Sequence, residues 1–547
     1  MKRKLVALLC VVSVAAAMLS GCGNGSEEKN SQEASNSVQE GSQGNSSEAD
    51  GQDSSQEAST EGGSSAEDLD YVELQWYVLS YQTGNITDVD MIQAALDEYF
   101  MEKINCKVKL NIMDAGGYAE TMPTKLMSGE EVDLLAVTGD ISYYTYAKMG
   151  AFYPIDTLWD TYGTNLKSLF KDNVWEGLTV DGHIYGVPVL KDNCYIISYI
   201  YNDTLAKELG LDMEQGWSGP QEMEEFLIEA VKIRDEKFPE YKGMPLMPYN
   251  DVFCPYYVAL EQFGCSELAV CNVPGKEAVS EYGTDTVYNF FETEKFRELC
   301  LMKQRLVSAG VLADNGFNFE GNIAAEPSTL LLNGWGYTWI SEDLNGENYD
   351  SKLVVYDNPY MEGSGYAGAM TAIGANSKNP ERAMMAMDII NNDPYVATML
   401  RFGIEGEHWE KDADGKMQLA NRNADVTNPG WLQWYGPFYG NLTIVEAPES
   451  YGGPDNIMLK KMAEYNNKAI LTTHMGFIPD TSAIENELSA CNNVISEYYD
   501  YLKYGYLESP EAVNKSVDDF VAKLKENGSE KIVAEIQAQI DAWEASK

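Results

Sequence analysis

The sequence gathers flat aromatic rings into three groups. Tyr143, Tyr144 and Tyr146 follow Asp140. Trp335, Tyr337 and Trp339 form the second group. Trp431, Trp434, Tyr435, Phe438 and Tyr439 form the third, among the chain-breaking residues Gly430, Gly436, Pro437 and Gly440. A flat ring stacks on an apolar C–H face, and carboxylates, amides and imidazoles meet a rim of hydroxyls. Together these chemistries hold a polyhydroxylated ring without making or breaking a bond. A single Tyr or Trp is more simply a core filler, so the argument rests on the groups and their flanking glycines. The expected contact set is Asp140, Tyr143, Trp335, Trp339, Glu405, His408, Trp431, Trp434, Tyr435 and Tyr439.

Other chemistries find little support. Three histidines in the whole chain (His183, His408 and His474) argue against a histidine-rich metal site. Cys106, Cys194, Cys254, Cys265, Cys271, Cys300 and Cys491 include no C-x-x-C pair, and their odd number leaves at least one unpaired. They read as buried small residues, with a disulfide among Cys254, Cys265 and Cys271 left open. Asp412-Ala-Asp-Gly415 resembles the start of a calcium loop. Its twelfth position is Asn423 and not a bidentate Glu, so a surface turn is expected. Glycine spacing fits neither a P-loop nor a dinucleotide fingerprint. No metal or cofactor is therefore expected. The net charge of −48 should repel nucleic acid and anionic lipid.

These residues need elements to position them. Val72–Val78, Val108–Ile112 and Val132–Val137 read as strands. Helical periodicity separates them over Met91–Met101, Tyr118–Met127 (interrupted near Pro123) and Ile141–Met149. This alternation predicts parallel βαβ units in a doubly wound sheet, with ligand beyond the strands' carboxyl ends. The loops there are Leu79–Asn85, Asp114–Tyr118 and Thr138–Tyr144. Asp181-Gly182 signals a hairpin, Tyr195–Asp203 a strand, and Ser218-Gly-Pro a helix start. Residues 240–330 show no clear period. Tyr366–Gly374 reads as a strand, and helices follow from Asn379 and Pro394. From Gly476 onward the chain is mainly helical.

The N-terminus gives the compartment. Lys2, Arg3 and Lys4 precede an uncharged apolar run from Leu5 to Leu19, then Leu19-Ser-Gly-Cys22. That order is a secretory signal ending in a lipobox, so residues 1–22 are expected to be a lipoprotein signal with Cys22 lipidated. Residues 23–70 hold 12 acids, one lysine and almost no apolar residues. They are expected to be a disordered tether, spanning about 35–40 Å as a flexible coil.

Asp181-Gly-His-Ile-Tyr-Gly-Val-Pro188, Tyr201-Asn-Asp203, and Ala369–Ile373 with Lys378-Asn-Pro-Glu-Arg-Ala383 stand in a recognisable order. Together they resemble the family-1, maltodextrin-binding type of extracellular solute-binding protein. Phe402–His408, Gly476-Phe477, Asn493–Tyr498 and Ile532–Trp543 with Gln537 and Gln539 resemble a subgroup of large Gram-positive lipoproteins with a C-terminal domain of unknown function. Leu331–Tyr337 departs from the family's usual segment. The resemblance implies an α/β, two-lobed periplasmic-binding-protein-like fold with hinge crossovers and a helical C-terminus. Lobe 1 would hold 71–190 and 367–472, and lobe 2 would hold 191–366 and 473–547. It further implies a monomeric, non-enzymatic protein that passes an oligosaccharide to ABC transporter permease subunits, touching the membrane through its lipid alone. A surface glycoside hydrolase and a peptide-binding or signalling lipoprotein are the alternatives.

Overall fold

β1 (Val72–Leu79) and β2 (Cys106–Met113) pair in parallel along their whole length, Val72 opposite Cys106 and Leu79 opposite Met113. Between them runs α1 (Val89–Ile104), whose Ile92, Leu96 and Phe100 recur at four-residue spacing and are all buried. α2 (Ala115–Ser128) leads to β3 (Leu134–Val137), which pairs in parallel with the other side of β1. Pro123 lies inside α2 and does not interrupt it, because Tyr118, Met122 and Leu126 hold one face in the core. The computed structural model describes residues 69–546 apart from 81–85, 140, 192, 196–197, 218–219, 248–258, 277, 315–326, 334–350, 356–357, 427, 434–438, 452 and 454–456. The expected signal with Cys22, and the expected tether up to residue 68, lie outside the described residues.

The first sheet has the order β2-β1-β3-β11-β4, with β4 at Gly186–Pro188 and β11 at Met370–Ala372. The three strands expected to be parallel are so, whereas β11 runs antiparallel to both its neighbours. It is chain returning from a long excursion, and it enters the sheet from the edge at which β3 ends. The Asp181-Gly182 turn forms, but only the Val180–His183 pair closes it, and the strand beyond goes to β11. α3 (Tyr143–Lys148), α4 (Trp159–Tyr162), α5 (Asp172–Gly177), α10 (Pro380–Asn392) and α11 (Pro394–Phe402) complete this part. One hydrophobic cluster joins Leu74–Val187 to Met361–Val445. It also takes in Cys194, Met361 and Tyr366.

A second sheet has β5 (Ser198–Asn202) between β8 (Leu331–Asn333) and β9 (Ser351–Val355), all antiparallel. Asn202 caps α6 (Asp203–Leu209) by accepting from the Leu205 amide at 2.8 Å. With α7 (Pro220–Lys237) these elements bury Tyr199, Leu205, Met223 and Leu227. The 240–330 stretch supplies two short strands, β6 (Leu260–Gln262) and β7 (Val270–Asn272), and α8 (Glu294–Ser308). These share a further cluster with α13 (Glu485–Lys503), α14 (Pro510–Glu526) and α15 (Ser529–Ser546). Ile532, Ile536 and Ile540 form the buried stripe of α15.

Three chain segments pass between these parts side by side. Tyr195 and Tyr360 exchange backbone hydrogen bonds at 2.7 and 3.0 Å, and their rings stack at 5.1 Å. β10 (Tyr360–Met361) then pairs in parallel with β14 (Ile470–Leu471). Buried Asn193 fastens them: its Nδ2 donates to the carbonyls of Val189 at 3.1 Å and Gly365, in α9 (Gly363–Ala367), at 2.9 Å. Asn466, at the end of α12 (Ile457–Lys468), donates to the Lys191 carbonyl at 2.7 Å. A Cβ at Gly365 would lie 2.1 Å from the Asn193 carbonyl oxygen, so only glycine allows this approach. A small hairpin of β12 (Trp409–Lys411) and β13 (Met417–Leu419) projects from the first part. Among the described residues no helix is long and apolar enough to cross a membrane.

Candidate functional site

The β1–β3 register pairs Trp76 with Leu134 and Tyr77 with Leu135. Continued three residues, it sets Ser80 beside Thr138, each the first residue past its strand. The Ser80 amide donates to the Met113 carbonyl at the end of β2 at 2.9 Å. Asp114 follows and caps α2 through the Gly117 amide at 2.8 Å. A polar row therefore crosses the carboxyl edge of the three parallel strands, where α/β sheets bind ligands. The Ser80 hydroxyl donates to Gln433 Oε1 at 2.5 Å, and the Gln433 amide donates to the Arg401 carbonyl at 2.8 Å.

Three side chains in this row are buried: Ser80, Thr138 and Gln433. Gln433 Nε2 and Thr138 Oγ1 have no hydrogen-bond partner among the described residues. Leaving such an atom unpaired costs about 1–3 kcal/mol, which a ligand hydroxyl would relieve. The same edge runs on into the first crossover. The Val189 amide donates to the Ala369 carbonyl at 2.9 Å, and the Leu190 amide to the Gly440 carbonyl at 3.1 Å.

Of the contacts expected from sequence, Asp140, Trp335, Trp339, Trp434 and Tyr435 lie outside the described residues. Four others are buried, and protein groups engage their polar atoms except His408 Nε2, which makes no hydrogen bond among the described residues. The Tyr143 hydroxyl donates to the Leu178 carbonyl at 2.7 Å and accepts from the Tyr185 amide at 3.0 Å; burial pushes its pKa up. Trp431 Nε1 donates to the Leu400 carbonyl at 3.2 Å, and Asn423 grips the Trp431 backbone at both N and O. Tyr439 lies edge-on to Trp76 at 5.4 Å, under the Arg401 guanidinium at 4.4 Å. Burial lowers the Arg401 pKa and raises that of Tyr439.

His408 is fully buried and accepts from the Ile404 amide at Nδ1, 3.1 Å away. Its Nε2 lies 3.4 Å from Asp88, which also pairs with Arg422. Glu405 is exposed. The structure thus sets Trp431 and Tyr439 together around Leu400 and Arg401. Ser80, Thr138 and Gln433 were missed. Their signal was partial: Ser80 and Thr138 lie in two of the loops picked out by topology, and Gln433 lies inside the third aromatic group.

Among the described residues no group of three or more His, Cys, Asp or Glu is arranged to hold a metal. Asp412 accepts from the amides of Asp414 and Lys416 at 2.9 and 3.0 Å and from Gln418 at 2.9 Å, so its oxygens serve the hairpin turn. Cys265 and Cys271 are free and buried, whereas Cys254 lies outside the described residues. Burial pushes the Cys265 thiol up to about 11.

Comparison with known proteins fits this geometry. Residues 83–244 match the family of bacterial extracellular solute-binding proteins, and residues 473–545 match a domain of unknown function, DUF3502. A carbohydrate ABC transporter substrate-binding protein of Streptococcus pneumoniae serotype 4 (strain ATCC BAA-334 / TIGR4) is 24% identical over 483 residues, 85% of this chain and 91% of that protein. Among solved structures, the N-glycan transport solute binding protein of Streptococcus pneumoniae superposes with a TM-score of 0.68 at 21% identity, over 86% of this chain and 99% of that one. A solute-binding protein from Bifidobacterium longum infantis ATCC 15697, described as binding HMO, gives 0.55 at 14% identity, over 86% and 99%. The fold is that of the two-lobed solute-binding proteins.

Proposed function

From the premise that this chain is a bacterial extracellular solute-binding protein, two-lobed and with the DUF3502 segment at its C-terminus, we propose that it captures an oligosaccharide between its lobes and delivers it to an ABC importer. The observation that carries the reading is the shared edge. The polar row of Ser80, Thr138 and Gln433, two of them with unpartnered buried atoms, lies on the edge from which the first crossover departs. A ligand seated there would touch the first lobe at the point about which the second swings. The related carbohydrate substrate-binding protein supports the ligand class.

The contact set proposed is Ser80, Thr138 and Gln433, joined by Asp140, Trp434 and Tyr435, which adjoin them in sequence. Trp335 and Trp339 supply rings from the other lobe. Trp431 and Tyr439 pack behind Gln433 through Leu400 and Arg401. The lobes comprise 71–190 with 367–472, and 191–366 with 473–547. The protein works as an extracytoplasmic monomer, held to the membrane by lipid on Cys22, and its partners are the permease subunits.

Thermal melting against a panel of oligosaccharides tests this. The panel would include Man5GlcNAc and kestose, the ligands in solved structures of related solute-binding proteins. A true ligand at a hundredfold excess over Kd stabilises by about 2.7 kcal/mol. Stabilisation by peptides alone would sink the carbohydrate reading. Release of shorter sugars on incubation would replace it with a glycoside hydrolase, which needs two carboxyl groups about 5–10 Å apart.

A further inference from the structure

The segment of unknown function begins inside the third crossover and ends on α15. We infer that α15 is a brace: it locks residues 474–480 to the second lobe, so that the third crossover bends before His474 and not after it. This rests on the two-lobed binding reading above. It assigns Gln539 and Glu261 as positioning residues, neither of which contacts the solute.

Five linked contacts carry the inference. Gln539 grips the backbone of Asp480 at two points: its Oε1 accepts from the Asp480 amide at 2.7 Å, and its Nε2 donates to the Asp480 carbonyl at 2.8 Å. Two residues earlier, Gln537 does the same to another segment, accepting from the Val287 amide at 2.7 Å and donating to the Asp285 carbonyl at 3.1 Å. The adjoining Tyr288 exchanges backbone hydrogen bonds with Val270 of β7 at 2.9 and 3.0 Å, and β7 pairs with β6. From β6, Glu261 reaches the crossover. Its carboxylate accepts from the His474 amide and faces His474 Nδ1, both at 2.8 Å.

The circuit is closed: α15, the 285–288 segment, β7, β6, the crossover, and α15 again. Four rings fill its interior. Phe263 meets His474 at 5.6 Å and Phe477 at 5.6 Å, while Trp543 of α15 meets His474 at 6.3 Å and Phe477 at 5.7 Å. Glu261 and His474 are both buried, so the pair is shielded from water and salt.

The circuit leaves out one corner. Met475 and Gly476 turn away from it toward the first lobe, where Gly476 takes φ +86° against the Gly177 backbone. A Cβ at Gly476 would lie 2.6 Å from the Gly177 carbonyl oxygen, which also accepts from the Tyr144 hydroxyl at 2.8 Å. Met475 packs on the first-lobe cluster and Phe477 on the second. The brace thus fixes where the second lobe rests on the first. Upstream, β14 pairs with β10 over two residues, Ile470 packs on the small cluster of Ala259, Val273 and Tyr360, and Leu471 packs on the first-lobe cluster, so the bend falls between Leu471 and His474.

The test uses the folded protein without ligand, so its outcome is independent of the solute's identity. Hydrogen exchange over residues 473–481 and small-angle scattering are measured for wild type, Gln539→Ala and Gln539→Glu. Gln539→Ala should raise exchange in that segment at least tenfold and shift or broaden the scattering-derived size distribution. Gln539→Glu keeps the acceptor and loses the donor, so it should fall between. Faster exchange with scattering identical to wild type would mean a local clamp and overturn the brace, as would unchanged exchange. If Gln539→Ala does not fold, Glu261→Gln takes its place under the same criteria. A wild type that binds no sugar, with scattering changed in Gln539→Ala, would sink the carbohydrate reading and keep the brace.

Discussion

Thr138 and His408 show how differently two buried polar side chains can act. Thr138 Oγ1 has no partner at the sheet edge among the described residues, and an orphaned hydroxyl there costs the unliganded protein stability. Thr138→Val keeps the shape and removes the orphan. The expected result is a free protein more stable by about 1 kcal/mol, with oligosaccharide affinity reduced several-fold. Chemical denaturation and titration calorimetry on the same preparation check both halves. A variant less stable than wild type, or one with full affinity, would count against Thr138 as a ligand contact. His408 instead serves the fold. Burial lowers its pKa, with Asp88 opposing and Arg422 reinforcing. Unfolded, the imidazole protonates near its usual value of about 6.5; folded, it resists until lower pH. The unfolded state therefore binds more protons in between, and stability is full above about pH 6.5 and lost as pH falls through the folded value. Urea midpoints taken stepwise from pH 7.5 to 5 should fall for wild type and fall less for His408→Gln. Parallel curves would remove His408 from the acid response. The sequence reading marks Trp431, Tyr439 and His408 as expected solute contacts, but a ring that packs and a ring that stacks on a ligand have the same letter. Only the partners at Leu400, Arg401 and Ile404 separate them.

At the scale of elements, the crossovers decide how the lobes move. Asn193→Ala would leave the carbonyls of Val189 and Gly365 without their shared donor, costing about 1–3 kcal/mol. Gly365→Ala would drive a methyl into the Asn193 carbonyl, a backbone atom that cannot swing aside. Overpacking of this kind costs about 1–3 kcal/mol. Both changes act on one contact, so the double variant should lose less than the sum of the two. Melting temperatures of the four proteins check this, and strict additivity would show that the two residues do not share a joint. Long periodic elements were legible in the sequence: α1, α10, α11 and the C-terminal helices all fall where apolar spacing puts them. Asn-Pro-Glu-Arg-Ala383 also has a physical content, since Pro380 opens α10 and Arg382 donates to the carbonyls of Ile104 and Asn105 at the end of α1. What escaped was set by distant partners. β11 has only three residues, and nothing in them specifies antiparallel pairing. β6 and β7, also three residues each, are too short to show a period.

For the whole molecule, the decisive question is whether catching a solute and staying at the membrane are separate jobs. Leu19-Ser-Gly-Cys22, read as a lipobox, stands before the acidic segment expected to be a tether, and the described residues begin at Leu69. Every contact proposed for the solute comes from residue 80 onward. Two acyl chains on Cys22, at about 0.8 kcal/mol per buried methylene, would hold the chain firmly without help from the folded part. That part, with a chain net charge of −48, would be repelled by anionic lipid. Cys22→Ala should therefore release the protein from membranes while oligosaccharide affinity and melting temperature stay at wild-type values. Fractionation of cells, followed by calorimetry on the released protein, reads both. Retention at the membrane would mean that another segment anchors the chain. A fall in affinity would mean that lipid or signal contributes to the fold, against the separation of tether from binding unit argued from residues 23–70.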